Sequence, residues 1–149
     1  MKNREYHAKV IEDVIRRLGE LEIDLYLILT SEGADSMTGF IPGVDTVGSG
    51  AFFFLRDGRR FAVASVIDAQ DVEESGLFDE VIRYQDYDKS VAELVKALAP
   101  KRVALDYSVE DPLCDGLTVG RYQRFVWSLG GSLPFETVSA DLFIPAARA

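Results

Sequence analysis

Five consecutive apolar residues, Leu25-Tyr26-Leu27-Ile28-Leu29, set the strongest limit on how this chain folds. A continuous run of that length, followed at once by a glycine-rich stretch, predicts a strand buried on both faces. Such a strand needs a sheet with a layer of structure above it and another below. A second run, Ala51-Phe52-Phe53-Phe54-Leu55, predicts a second strand. Asp57-Gly58 follows, and Arg60 to Val66 predicts a third. Asp-Gly between two such runs signals a tight hairpin, because both turn residues tolerate positive φ. At least one strand pair is therefore antiparallel.

The other elements alternate. Val10, Ile11, Val14, Ile15 and Leu18 recur at helical spacing, so residues 6–18 predict an amphipathic helix that Gly19 can close. Residues 30–50 hold Gly33, Gly39, Gly43, Gly48, Gly50 and Pro42 and predict a long loop. Asp68 is expected to cap a short helix running to about Ser75. Val81 to Tyr84 predicts a strand. Ser90 and Glu93 have capping-box spacing at the start of a helix that runs to Leu98 and that Pro100 stops. Val103-Ala104-Leu105 predicts a further strand. A last helix is expected from Thr118 to Leu129, closed by Gly130-Gly131, and Phe135 to Val138 is expected as an edge strand. The fold class that follows is α/β: one domain over residues 1–149, with a mixed sheet of about five to six strands and helices on both faces.

Charge removes some functions. The chain has 16 basic and 25 acidic residues, a net of −9. That argues against non-specific nucleic-acid binding, which needs cations to neutralise phosphates, and against docking on an anionic membrane. No apolar run approaches the ~20 residues that cross a bilayer. The first fifteen residues are charged throughout, unlike a secretory signal. A cytoplasmic location is the expectation, and the single cysteine, Cys114, fits a reducing compartment.

A hydrolytic metal site needs histidine and carboxylates converging on one centre. This chain has one histidine, His7, whose spacing matches no ligand motif, and it reads as a solvent-facing helix residue. Cys114 has no local histidine partner and reads as a small buried hydrophobe. The glycines from Gly39 to Gly50 lead into a strand rather than a helix, so they do not form a dinucleotide fingerprint. Asp24, Asp106 and Asp111 lie where strand ends are expected and could in principle hold magnesium, as in a nuclease. No basic groove accompanies them, and capping turns is the plainer role. Two segments stand out: the loop from Thr30-Ser31 to Met37-Thr38-Gly39-Phe40, and Leu117-Thr118-Val119-Gly120-Arg121-Tyr122 at a helix start. Open amides behind a Thr118 cap could hold an anion. Phe40 folding onto the core and Thr118 capping a helix would account for both without a ligand. No catalytic, cofactor-binding or metal-binding residue is assigned to this chain.

The order of the segments carries more information than any one of them. An opening helix is followed by Leu21-Glu22-Ile23-Asp24-Leu25-Tyr26-Leu27-Ile28. Then come Thr30-Ser31 to Met37-Thr38-Gly39-Phe40, the hairpin from Ala51 to Val66, Val81 to Asp86, Lys101-Arg102-Val103-Ala104-Leu105-Asp106, and Leu117 to Tyr122. This succession resembles the N-terminal domain of the creatinase, prolidase and Xaa-Pro aminopeptidase family of metallopeptidases. The resemblance implies a ribonuclease H-like topology without its catalysis. It also implies a longer parent protein, whose C-terminal metallopeptidase domain would hold two divalent metal ions (Mn, Co or Zn) and cleave peptides with proline at the second position, or act on a creatine-like substrate. This domain's partners would then be that catalytic domain and a second copy in a homodimer, and Phe40, Ile41 and Pro42 would border a substrate channel or interface. The alternative is a stand-alone small-molecule or protein-binding module.

Overall fold

The computed structural model describes residues 4–148; the outermost residues of the predicted domain, 1–3 and 149, lie outside that range. The chain runs α1 (Arg4–Glu20), β1 (Leu25–Ser31), α2 (Met37–Phe40), β2 (Ser49–Leu55), β3 (Arg60–Ala64), α3 (Val66–Glu74), β4 (Glu80–Arg83), α4 (Tyr87–Leu98), β5 (Arg102–Leu105), α5 (Val119–Ser128), β6 (Glu136–Ser139) and α6 (Ile144–Arg148). One-turn 3-10 segments lie at Pro112–Cys114 and Ala140–Leu142.

Six strands form one sheet in the order β4-β3-β2-β1-β5-β6. β2 is antiparallel to both β1 and β3, while β1–β5, β5–β6 and β3–β4 pair in parallel. The sheet is mixed, as the hairpin and the helical crossovers require.

Side chains alternate across a strand, so each central strand divides between two cores. Tyr26, Ile28, Phe52, Phe54, Ala62, Ala64 and Ala104 face Val10, Ile11, Val14 and Leu18 of α1, with Val72 of α3 and Ile144 of α6. Leu25, Leu27, Leu29, Phe53, Val63, Val103 and Leu105 face Val91 and Val95 of α4 and Phe125 of α5. The predicted double burial of β1 is observed, with residues 25–30 all buried. Phe53 points away from its neighbours Phe52 and Phe54, so the three rings serve different layers. The single tryptophan, Trp127, stands 80% exposed on α5.

Several local expectations are corrected. The hairpin loop has three residues between Leu55 and Arg59, which are joined by Leu55 N donating to Arg59 O at 2.9 Å. Only Gly58 in that loop takes positive φ, at 99°, so the turn needs one left-handed residue rather than two. β3 stops at Ala64 because Ser65 caps α3, accepting from Asp68 N. Asp68 therefore does not cap that helix; it is buried inside its first turn. α4 begins at Tyr87, and its cap is Asp86, which accepts from Lys89 N. Ser90 lies within the helix, so the Ser90–Glu93 pattern is not its cap. The earlier start places the Tyr87 hydroxyl 2.9 Å from Gly50 O on β2. α4 ends with Ala99 in a left-handed conformation, next to Pro100 as expected. α1 continues through Gly19, and the left-handed residue that follows it is Glu22.

Candidate functional site

The long β1–β2 connection, residues 32–48, is the segment in which the sequence placed its candidate contacts. It is an anchored loop containing the single turn of α2. Three polar side chains fasten it from below.

The first is Asp35, fully buried. Its amide donates to Thr30 Oγ1 at 3.0 Å, its Oδ1 accepts from Met37 N at 3.0 Å, and its carbonyl accepts from Thr38 Oγ1 at 2.9 Å. Behind it lies Asp106, also buried, whose Oδ1 accepts from Tyr26 Oη at 2.6 Å. Burial pushes Asp106 well above the usual carboxylate range, with the neighbouring Asp35 adding to the effect. Burial also raises Asp35, against the opposing pull of Asp106 and of the bond from Met37 N.

The second anchor is His7. It is buried rather than solvent-facing, at 8% exposure. Its Nδ1 lies 3.1 Å from both Phe40 O and Ile41 O. Two carbonyls can only accept, so the ring hydrogen is assigned to Nδ1. The opposite edge of the ring packs on Gly43, where a Cβ would come within 2.6 Å of Cε1 and closer to Nε2 and Cδ2.

The third is Asp68. Its carboxylate accepts from Val47 N and Gly48 N, both at 2.9 Å, and from Ser65 Oγ at 3.0 Å. It ties the end of the loop to the start of α3.

These anchors fix which parts of the loop face outward. Ile41 and Pro42 are buried and Phe40 is half-buried against the core. Glu32, Gly33, Ala34, Ser36, Gly39, Asp45 and Val47 are exposed. Beside the loop, Arg4, His7, Pro42, Asp45, Asp71 and Glu74 line an open cleft of about 430 Å³. Among the described residues, no group of three His, Cys, Asp or Glu side chains is placed to hold a metal ion.

The structure separates the acidic residues singled out in the sequence. Asp24 precedes β1 and accepts from Lys101 N at 2.9 Å, Arg102 N at 3.1 Å and Arg56 Nη1 at 3.4 Å. Burial works against its charge, but those donors outweigh it and hold the carboxyl below its ordinary value. Asp106 lies past the far end of β5, and Asp111 accepts from Leu113 N at 3.0 Å, opening a 3-10 turn. Cys114 is buried in that turn. Thr118 caps α5, its Oγ1 accepting from Arg121 N at 3.3 Å. Asp35 carried no signal in the sequence beyond its place before Met37-Thr38, and Tyr26 read only as an apolar strand residue.

Comparisons with known proteins agree with this architecture. An X-Pro aminopeptidase from Thermotoga maritima superposes with a TM-score of 0.72 at 16% identity, covering 93% of this chain and 35% of that one. An Xaa-Pro aminopeptidase structure from Streptococcus pyogenes gives 0.71 at 16% identity, covering 97% and 98%. The N-terminal domain of the cytoplasmic peptidase PepQ from Mycobacterium tuberculosis gives 0.69 at 15% identity, covering 94% and 98%. At such identities these likenesses establish the fold. The chain spans 35% of the length of the Thermotoga enzyme. No curated protein matches it in sequence. The sequence model described as Creatinase/Prolidase N-terminal domain matches residues 11–149. With that match over nearly its whole length and the six-stranded mixed sheet of those structures, the chain belongs to the creatinase/prolidase N-terminal domain family.

Proposed function

We propose that this chain is the non-catalytic N-terminal domain of a metal-dependent Xaa-Pro dipeptidase or aminopeptidase, serving oligomer assembly and active-site access. One observation carries the reading: the single imidazole of the chain is engaged in holding its own loop, with Nδ1 on two backbone carbonyls and the other edge against Gly43. A hydrolytic centre built on nitrogen and carboxylate ligands has no nitrogen to draw on here. The chemistry is therefore assigned to a C-terminal catalytic domain of the same polypeptide, which supplies two divalent metal ions (Mn, Co or Zn) to polarise the scissile carbonyl and the attacking water. In a cytoplasmic homodimer, the outward residues of the β1–β2 loop would wall the path of the peptide substrate, with the Phe40-Ile41-Pro42 turn setting the loop's shape from beneath.

The purified chain, supplied with manganese, cobalt or zinc, is expected to leave an Xaa-Pro dipeptide intact. Metal-dependent release of proline that co-purifies with the chain would overturn the reading. For the assembly role, sedimentation at rising concentration is expected to show dimers; a monomer at every concentration refutes that part.

A further inference from the structure

The Asp35–Asp106 pair plays no part in the reading above. Asp35 is 0% and Asp106 1% exposed. One oxygen of each is satisfied: Asp35 Oδ1 by Met37 N, and Asp106 Oδ1 by the Tyr26 hydroxyl. The other oxygen of each, Asp35 Oδ2 and Asp106 Oδ2, is buried and receives no protein donor. The two carboxyls are neighbours, and each acts on the ionisation of the other. Two acceptors can bond only through a proton that one of them carries, and two bare carboxylates side by side out of water cannot both stay charged. The backbone also closes over the pair: a Cβ on Gly116 would meet Asp35 Cγ at 2.5 Å, and Leu117 N donates to Asp106 O at 2.8 Å.

We propose that this pair is a proton-operated latch that fastens the β1–β2 loop to the end of β5, closed while the pair shares one proton and opened when that proton leaves. Asp106 directly follows β5, which is paired on both sides by β1 and β6. Asp35 sits on a loop whose neighbours Ala34 and Ser36 are exposed, so the loop is the part that yields. The titratable groups that act on the cluster are the Tyr26 phenol from β1 and the Cys114 thiol from the 3-10 turn. The hydroxyls of Thr30 and Thr38 bind the Asp35 backbone and are neutral, and the Phe143 ring packs edge-on against Tyr26. Phenol and thiol, like the pair, become negative on losing a proton, so neither offsets the charge that opening creates. The sign follows from the direction of the shifts. A carboxyl raised in the folded state supports that state at low pH, and the support fades as pH rises through the raised value.

The test is hydrogen–deuterium exchange of the intact chain from about pH 6 to about pH 8.5, more than a unit below the ordinary tyrosine value. The reporting amides are Met37, Thr38, Ile41 and Val44, each of which donates within the loop. Between the ordinary carboxylate range and the pair's own titration their protection is expected to fall about tenfold per pH unit beyond the intrinsic change, as one released proton requires, and to level off above it, while β1 and β2 stay protected. In Asp106→Asn, an amide supplies the bridging hydrogen permanently and its oxygen still accepts from Tyr26, so the loop is expected to lose this dependence. Asp35→Asn should do the same from the other side and serves if the first variant does not fold. If neither folds, ¹³C titration of the wild-type carboxyl carbons decides, with one proton expected to leave the pair above the usual carboxylate range. The proposal fails if wild-type protection follows the intrinsic rate throughout. It also fails if an Asn variant opens with the wild-type profile, or if both carboxyls titrate as ordinary acids.

Discussion

Gly43→Ala, made alone and together with His7→Ala, probes the contact on which the loop's shape rests. Gly43 has φ of 68°, so an alanine there costs roughly 1–2 kcal/mol in backbone conformation. Its Cβ would also enter the His7 ring, within 2.6 Å of Cε1 and closer to two other ring atoms. The ring cannot step aside without giving up its bonds to Phe40 O and Ile41 O, so overpacking adds about 1–3 kcal/mol. The single variant is then destabilised by roughly 2–5 kcal/mol. His7→Ala strands the two carbonyls and costs about 1–3 kcal/mol by itself, but it empties the space that the new methyl needs. In that background Gly43→Ala retains only its conformational cost, roughly 1–2 kcal/mol. Urea unfolding followed by far-ultraviolet circular dichroism gives all four stabilities. The expected coupling is about 1–3 kcal/mol, with the double variant more stable than the two singles predict. Equal costs of Gly43→Ala in both backgrounds, within about 0.5 kcal/mol, would refute the claim that imidazole and glycine share one volume.

Two further outcomes follow from the packing and the charges. Phe53→Ala removes a fully buried ring from the layer under α4 and α5 and is expected to cost about 3–5 kcal/mol, read as a lowered urea midpoint with unchanged slope. Asp24 is held below its ordinary value, so it stabilises the fold above the usual carboxylate range and loses that effect as pH falls through the depressed value. Asp24→Asn should therefore lower Tm near neutrality, with the deficit shrinking towards about pH 3. A deficit that does not depend on pH would show that the carboxylate's charge is irrelevant there.

Much of this architecture could be read from local pattern because local pattern caused it. β1 announced its double burial through five unbroken apolar residues, and Thr118 caps α5 through a bond to an amide three residues on. Local pattern failed where two signals competed or where the partner was remote. Asp86 and Ser90 both qualify as caps for α4, and the helix takes Asp86, a start that also seats the Tyr87 hydroxyl on Gly50 O. His7 finds its carbonyls 33 and 34 positions away, and Tyr26 finds Asp106 across 80. No periodicity in either segment foretells such a meeting. Aspartate favours helix starts, which makes Asp68 look like a cap, but Ser65 fills that role and leaves the carboxylate to gather two loop amides.

Trp127 offers a practical opportunity. An indole already bathed in solvent emits at nearly the same wavelength whether the chain is native or denatured, so the position of its emission peak will be almost blind to unfolding. The same residue will shift to the blue when anything settles over the outer side of α5. The domain thus carries its own label-free sensor of docking at that helix, one whose signal does not mix with loss of structure.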